Sequence, residues 1–127
     1  MIPAKPEKPE KEDRTFTARE LSRLFGVRES KVRYWESRGL LAPSPFGFPD
    51  VVSLRTLEHL RRSGVSERRI FALWAALRAL LPQVEHPFSE TRLTVESRTR
   101  VVVQYRRALF DAEGQLHLPF FEEARPR

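Results

Sequence analysis

Apolar residues recur at helical spacing through the first two thirds of the chain, where they predict short amphipathic helices. The first helix begins with a capping box, because Thr17 is followed three residues later by Glu20. Gly26 ends this helix, and in the next helix the apolar pair Val32 and Trp35 faces back onto it. Two short helices around a glycine turn form a helix-turn-helix motif. The apolar face of the first helix comprises Ala18, Leu21, Leu24 and Phe25.

The outer face of the second predicted helix, residues 29–38, is basic and contains an aromatic side chain. In a helix-turn-helix protein the second helix enters the DNA major groove, and side chains of its first turn reach the base edges. The pattern therefore predicts a recognition helix for double-stranded DNA. Its predicted contact residues are Ser30, Lys31, Arg33, Tyr34 and Arg38.

Two further helices are predicted beyond a proline-rich loop, which covers residues 42–49. The third helix covers residues 49–63, with Asp50 placed to complement the positive end of the helix dipole. The fourth covers residues 67–81 and is capped by Ser66. Both carry apolar residues at helical spacing, so we expect them to complete a small helical core.

From residue 91 onward the pattern changes to an alternation of apolar and polar residues that is typical of strands. It predicts a three- or four-stranded antiparallel β-meander. A sheet with one apolar face has to pack against another element, which is either the helical part of the same chain or a second copy. Both alternatives stay open, and the second makes the meander the contact of a homodimer.

Composition divides the chain into four segments. Residues 1–14 are rich in Pro, Lys and Glu and have little to bury, which favours a disordered arm. The charges of this arm nearly cancel, which favours a solubilising leader over an arm that follows a DNA groove. Residues 15–82 form the predicted helix-turn-helix domain, residues 83–90 a linker and residues 91–121 the β-meander. The predicted fold class is therefore α+β.

The motif residues also resemble a known family, the MerR-type DNA-binding domains. That family has an aromatic residue, then Glu-Leu, Gly-Val, a hydrophobic-Arg-Tyr-aromatic-Glu core and a final Gly-Leu-hydrophobic. The resemblance implies a four-helix winged helix-turn-helix fold, in which the residues at Arg33 and Tyr34 meet phosphates and base edges. It continues more loosely to about Pro82. The matching residues are Phe16, Glu20-Leu21, Gly26-Val27, Val32-Arg33-Tyr34-Trp35-Glu36 and Gly39-Leu40-Leu41.

The chain departs from the family pattern at three places. The family wing carries an arginine that grips the DNA backbone, whereas the loop at residues 42–49 has no Lys or Arg. Pro82 and Pro87 interrupt the segment where relatives have a long dimerisation coiled coil. Arg28 stands where relatives have a small capping hydroxyl, and it either reaches a phosphate or is simply exposed. Predicted phosphate binding therefore rests more on the recognition helix and on Arg55, Arg61 and Arg62.

Net charge agrees with a polyanionic partner because it is unevenly distributed. The 127 residues contain 23 Lys and Arg against 17 Asp and Glu, which gives a formal net charge of +6. Residues 14–81 hold thirteen basic and six acidic side chains, whereas residues 82–127 hold seven of each. A generally basic protein would not have a neutral second half, so the charge indicates a DNA-binding first half.

The sequence shows no sign of catalysis or of a cofactor. It has no cysteine, and its three histidines lie far apart without helical pairing, so no metal site is predicted. A glycine-rich phosphate loop, a paired-carboxylate motif and a nucleophile elbow are all missing. No secretory signal or apolar run of about 18 residues occurs. We therefore expect a cytoplasmic, nucleoid-associated protein with no membrane partner and no enzymatic activity.

These patterns favour a sequence-specific DNA-binding transcriptional regulator that reads the major groove with the helix at residues 29–38. Two alternatives stay open. The uncharged wing would suit an adaptor that keeps the helix-turn-helix fold and recruits another protein through its meander. A short winged helix would also suit an excisionase-like architectural factor that bends DNA.

Overall fold

A computed structural model of the chain describes residues 14–106, 108–111 and 116–117. In this part of the chain, helices are followed by a four-stranded antiparallel sheet with strand order β1-β2-β3-β4, which confirms the predicted α+β class and its meander. The predicted disordered arm lies, except for Arg14, outside the described residues. The helices are α1 (Ala18–Phe25), α2 (Glu29–Ser37), α3 (Phe48–Arg62), α4 (Glu67–Leu80) and α5 (Pro87–Glu90). The strands are β1 (Arg92–Ser97), β2 (Arg100–Tyr105), β3 (Ala108–Asp111) and β4 (Leu116–His117).

Backbone packing groups the chain into two compact units, and the boundary between them falls between Arg55 and Thr56. Helices α1 and α2 lie in the first unit, whereas α4, α5 and the sheet lie in the second. Helix α3 contributes residues to both. The division predicted from composition, with a domain at 15–82, a linker at 83–90 and a meander at 91–121, stays a prediction.

Helix α1 begins at the predicted capping box. The Glu20 N–H donates to Thr17 Oγ1 at 3.0 Å, and the Thr17 N–H donates to Glu20 Oε1 at 2.9 Å. These bonds satisfy two donors that the helix start would otherwise leave without partners. The helix ends at Gly26, whose φ of 67° lies in the left-handed region that glycine adopts without steric cost. Both predicted ends of α1 are therefore confirmed.

The first unit has a core of side chains from both helices of the motif, and α1 packs against α2. Leu24 is an exception to the predicted apolar face of α1, because it is 60% exposed whereas Ala18 and Leu21 are buried. At 3.6 residues per turn, Leu24 lies roughly a quarter turn from the centre of the buried face. Its assignment to that face was wrong. The buried apolar residues of this unit are Phe16, Ala18, Leu21, Val27, Val32, Trp35, Leu40, Leu41, Phe46 and Leu54.

The loop between α2 and α3 is tied down at both ends. Phe46 forms an antiparallel bridge with Phe16 through two backbone hydrogen bonds of 2.8 and 2.9 Å, and its side chain is fully buried. The Asp50 carboxylate accepts from the Ala42 N–H at 2.9 Å and from the Gly47 N–H at 3.0 Å. Asp50 was predicted to complement the α3 dipole, and the structure adds a second role, because its carboxylate bonds the backbone of the loop at two positions.

In the second unit, α4 begins at Ser66, whose hydroxyl accepts from the Arg69 N–H at 3.2 Å as predicted. The short helix α5 was missed, since four residues that begin with a proline are too few for a periodic pattern. Phe88 of α5 is fully buried, with its ring 5.3 Å from that of Trp74, and its carbonyl accepts from Thr56 Oγ1 at 3.1 Å. The segment predicted as a linker is thus partly helical and contributes to the core.

Strands β1 and β2 bury apolar side chains mainly on one face of the sheet, although Val102 of β2, on the opposite face, is also buried. Strands β1 and β2 pair Leu93 with Val103 and Val95 with Val101, so these four side chains share one face. Val101 and Val103 are buried, and Leu93 and Val95 are partly buried. Because a single chain already covers them, the structure supports packing in cis, one of the two alternatives that the sequence left open.

Candidate nucleic-acid interface

Helix α2 is oriented by two side chains that are fully buried, Val32 and Trp35. They are three residues apart, so they anchor one face of the helix and leave the opposite face outside. Ser30, Arg33 and Arg38 are exposed there, and Lys31 and Tyr34 are partly buried. Four of the five residues predicted from the sequence therefore lie on α2, and Arg38 is its C-cap.

Three of these residues form an ordered cation and aromatic cluster. The Lys31 ammonium lies 5.2 Å from the centre of the Tyr34 ring and 4.8 Å from that of Trp35. The Arg38 guanidinium lies 5.9 Å from the Tyr34 ring, and its Nη1 donates to Tyr34 Oη at 3.4 Å. Stacking on a ring restricts long flexible side chains before any ligand arrives, which lowers the entropic cost of binding. The i,i+3 and i,i+4 spacing around Tyr34 is the sequence signal for this cluster.

Arg33 lies between two carboxylates of its own helix. Its guanidinium is 3.5 Å from Glu29 Oε2 and 3.9 Å from Glu36 Oε1, and its side chain is 58% exposed. Ion pairs this exposed contribute little to stability, so a phosphate or a base edge can replace the carboxylates at low cost. The pairs therefore position the Arg33 guanidinium on the outer face and leave it accessible to another anion.

Glu36 connects the candidate interface to the loop that follows it. Its Oε2 accepts from the Ser44 N–H at 2.8 Å. Sequence reasoning did not assign this contact, because the two residues are eight apart and one lies in an irregular loop. The bond makes Glu36 a positioning residue for the loop rather than a contact for DNA.

The start of α2 is unusual because Arg28 occupies the N-cap and makes no side-chain capping bond. Its carbonyl accepts from the Lys31 N–H at 2.9 Å, and its side chain is exposed. A Ser, Thr, Asp or Asn at this position would satisfy an N–H group of the first turn. The N-terminus of α2 therefore lacks a side-chain cap, and a cationic side chain occupies the cap position.

The Arg28→Ser variant should raise the free energy of unfolding by about 0.5–1 kcal/mol, because serine supplies the missing cap. The same change should weaken DNA binding by roughly threefold at moderate salt, because it removes the phosphate contact predicted for Arg28. Urea denaturation and fluorescence anisotropy measure the two effects. Arg28→Ala is the control, since it removes the cation without adding a cap and should weaken binding equally with no gain in stability. Equal DNA affinity in all three proteins would contradict the contact.

The remaining predicted residues lie on α3. Arg55 is exposed in the first unit. In the second unit, Arg61 donates to the buried carboxylate of Glu58 from Nε at 3.0 Å and from Nη2 at 2.9 Å, and this hydrogen-bonded ion pair raises the pKa of the Arg61 guanidinium. Arg62 lies 3.7 Å from the same carboxylate and is 69% exposed. Arg61 is thus fixed by a partner within the protein, whereas Arg62 is held more loosely.

A capped first helix, a glycine turn and a second helix with a basic outer face define a DNA-binding protein of the helix-turn-helix class. Residues 16–74, somewhat less than half of the chain, match the family model described as "MerR HTH family regulatory protein". This segment belongs to the MerR helix-turn-helix family, whose members are DNA-binding transcription regulators. Comparisons with curated proteins and with solved structures gave no significant match. In the described part of the chain, no helix is both long and apolar enough to cross a membrane.

Proposed function

We propose that this protein is a sequence-specific transcriptional regulator that reads the DNA major groove with α2. The observation that carries the proposal is the arrangement of α2 itself. Val32 and Trp35 are fully buried and fix its inner face, so cations and a phenol occupy its outer face. The family of the matched segment supports a DNA-binding regulator in general. The side chains on the outer face of α2 support its use in the major groove.

The chemistry of each side chain suggests its partner on the duplex. Ser30 and Lys31 lie in the first turn of α2, from which side chains reach base edges. Arg33 and Tyr34 follow, and a guanidinium fork can pair with two acceptors of guanine or with a phosphate. Arg38, at the helix end, suits a phosphate.

Arginines outside α2 are proposed as contacts to the DNA backbone. Arg28 and Arg55 are exposed in the first unit, and Arg62 is exposed in the second. Arg61 belongs to the same proposal, but it has to share its guanidinium with Glu58. We therefore expect Arg61 to contribute less to affinity than Arg62.

The proposal is tested by Arg33→Ala and Tyr34→Ala. Each should weaken binding to a selected site by about tenfold and the double variant by about a hundredfold, since each base contact contributes roughly 1–3 kcal/mol. Fluorescence anisotropy on selected and scrambled duplexes measures the loss, and circular dichroism confirms folding. Arg78→Ala is the control, because it removes an exposed arginine of α4 that lies over the Trp74 ring at 5.5 Å and is not among the proposed DNA contacts. A folded double variant with unchanged affinity would exclude this function.

The same binding experiment separates the alternatives. A regulator should form a complex whose affinity falls steeply with salt, because bound phosphates release counterions. If no salt-sensitive complex forms at micromolar protein, an adaptor that recruits another protein is favoured instead. A strong bend in the bound duplex would favour an excisionase-like architectural factor.

Site symmetry tests whether a homodimer forms through the β-meander. A dimer should select a palindrome with half-sites on one face of the duplex, whereas a single copy needs one half-site. Val101 and Val103 of the sheet are already buried within one chain. This burial favours binding as a single copy, so we expect selection to yield a site without two-fold symmetry.

A further inference from the structure

Within the second unit, the turn between β1 and β2 lies directly against the turn between α3 and α4. The side chain of Arg98 crosses Gly64 so closely that a Cβ atom on that glycine would lie 2.7 Å from Arg98 Cγ and Cδ. On the other side of the turn, Arg69 Nη1 donates to the Thr99 carbonyl at 3.2 Å. These two contacts fix the hairpin turn on the helical turn.

The contact brings together two segments that are both rich in arginine, and we call their joint surface the hairpin patch. Six arginines and three glutamates lie in these segments, so the patch is positively charged although the last third of the chain is neutral in sum. Its arginines are Arg61, Arg62, Arg68, Arg69, Arg98 and Arg100, and its glutamates are Glu58, Glu67 and Glu96.

Internal ion pairs neutralise only part of this charge. Glu58 forms an ion pair with Arg61, and Arg100 forms one with Glu96, with 2.6 Å between Arg100 Nε and Glu96 Oε1. Among the described residues, no carboxylate lies within salt-bridge distance of Arg68 or Arg98, and both side chains are exposed. Cations without a carboxylate partner in the described part of the chain gain most from an external anion.

We propose that the hairpin patch binds the phosphate backbone of duplex DNA, an inference that rests on the proposed function. Guanidinium groups match phosphates in shape and charge, and several on one rigid surface give affinity without sequence preference. The loop where the matched family carries its wing has no Lys or Arg in this chain. The β-meander thus supplies cations for the DNA backbone, which this loop lacks. An acidic protein surface is the competing partner. It is favoured if removal of these cations leaves the affinity for DNA and its salt dependence unchanged.

The test compares Arg98→Ala/Arg100→Ala with the unmodified protein by anisotropy at several salt concentrations. We expect about tenfold weaker binding at low salt, equally on selected and scrambled duplexes. The slope of log affinity against log salt should fall by about 1–2, since each lost phosphate contact removes about 0.9. Arg98→Lys/Arg100→Lys keeps the charges and should retain most of the affinity.

Arg92→Ala is the matched control, because it removes one cation from the far end of β1, about 20 Å along the strand. It should leave the salt slope unchanged. If the Arg98→Ala/Arg100→Ala variant keeps both affinity and slope while Arg33→Ala/Tyr34→Ala loses binding, the hairpin patch is not a DNA contact, although the proposed function stands. If the unmodified protein forms no complex with DNA, both proposals fail.

Discussion

Replacement of Trp35 by alanine is expected to lower the free energy of unfolding by about 3–5 kcal/mol. Trp35 is fully buried in the first unit, so the change removes a large apolar surface and leaves a cavity beneath α2. The Trp35 ring also supports the candidate interface, because it lies 5.7 Å from the Tyr34 ring and 4.8 Å from the Lys31 ammonium. We expect DNA binding to be lost with the fold rather than by loss of a contact.

Urea denaturation followed by far-ultraviolet circular dichroism measures this effect, since the substitution removes one of the two tryptophans that would report by fluorescence. Tyr34→Ala is the matched control on the same helix. Tyr34 is only partly buried, so its loss should cost clearly less stability while it weakens DNA binding directly. If Trp35→Ala costs less than about 1 kcal/mol, Trp35 does not anchor α2, because a large buried side chain costs several times more.

Most of the helical part follows from local rules that can be read in the sequence. The Thr17 and Glu20 capping box needs only residues three apart, and Gly26 ends α1 because a left-handed φ is required there. Leu24 shows the limit of this reasoning. It fits an apolar pattern, but burial depends on which partner covers the helix, and Leu24 lies beyond the covered sector.

The candidate interface also has features that local sequence patterns predict and features that they do not. The outward direction of Lys31, Arg33 and Tyr34 follows from helical spacing relative to Val32 and Trp35, and the structure places them accordingly. Contacts between residues far apart in the chain were not predictable. The passage of Arg98 across Gly64 and the bond from Arg69 to Thr99 join segments about thirty residues apart, and no local pattern specifies such pairs.

Asp50, in the first turn of α3, has two structural roles. Pattern reasoning assigned Asp50 to the dipole of α3, which remains correct for its place in the first turn. The three-dimensional arrangement shows that its carboxylate also bonds the backbone of Ala42 and Gly47. Residues 42–49, which contain no Lys or Arg, are thereby held by bonds to their backbone, which supports the proposal that other parts of the chain bind the DNA backbone.

Asp50→Ala is accordingly expected to cost about 2–4 kcal/mol of stability, because two backbone N–H groups lose a charged acceptor. Asp50 is 4% exposed, so water cannot readily replace the carboxylate in the folded protein. Urea denaturation measures the cost. The stability of Asp50→Asn should lie between that of the unmodified protein and that of Asp50→Ala. One amide oxygen remains to accept a hydrogen bond, while the amide nitrogen faces an N–H donor.

Glu36→Ala is the control for Asp50→Ala, because it removes a carboxylate that accepts from the same loop, from the Ser44 N–H at 2.8 Å, and that is more exposed, at 21%, than Asp50. Water can take over that bond, so Glu36→Ala should cost no more than about 1 kcal/mol. The contrast tests burial together with the number of bonds, since the buried Asp50 carboxylate accepts from two N–H groups of the loop and the Glu36 carboxylate accepts from one. Equal losses in the two variants would show that burial of the Asp50 carboxylate does not set the stability of the loop.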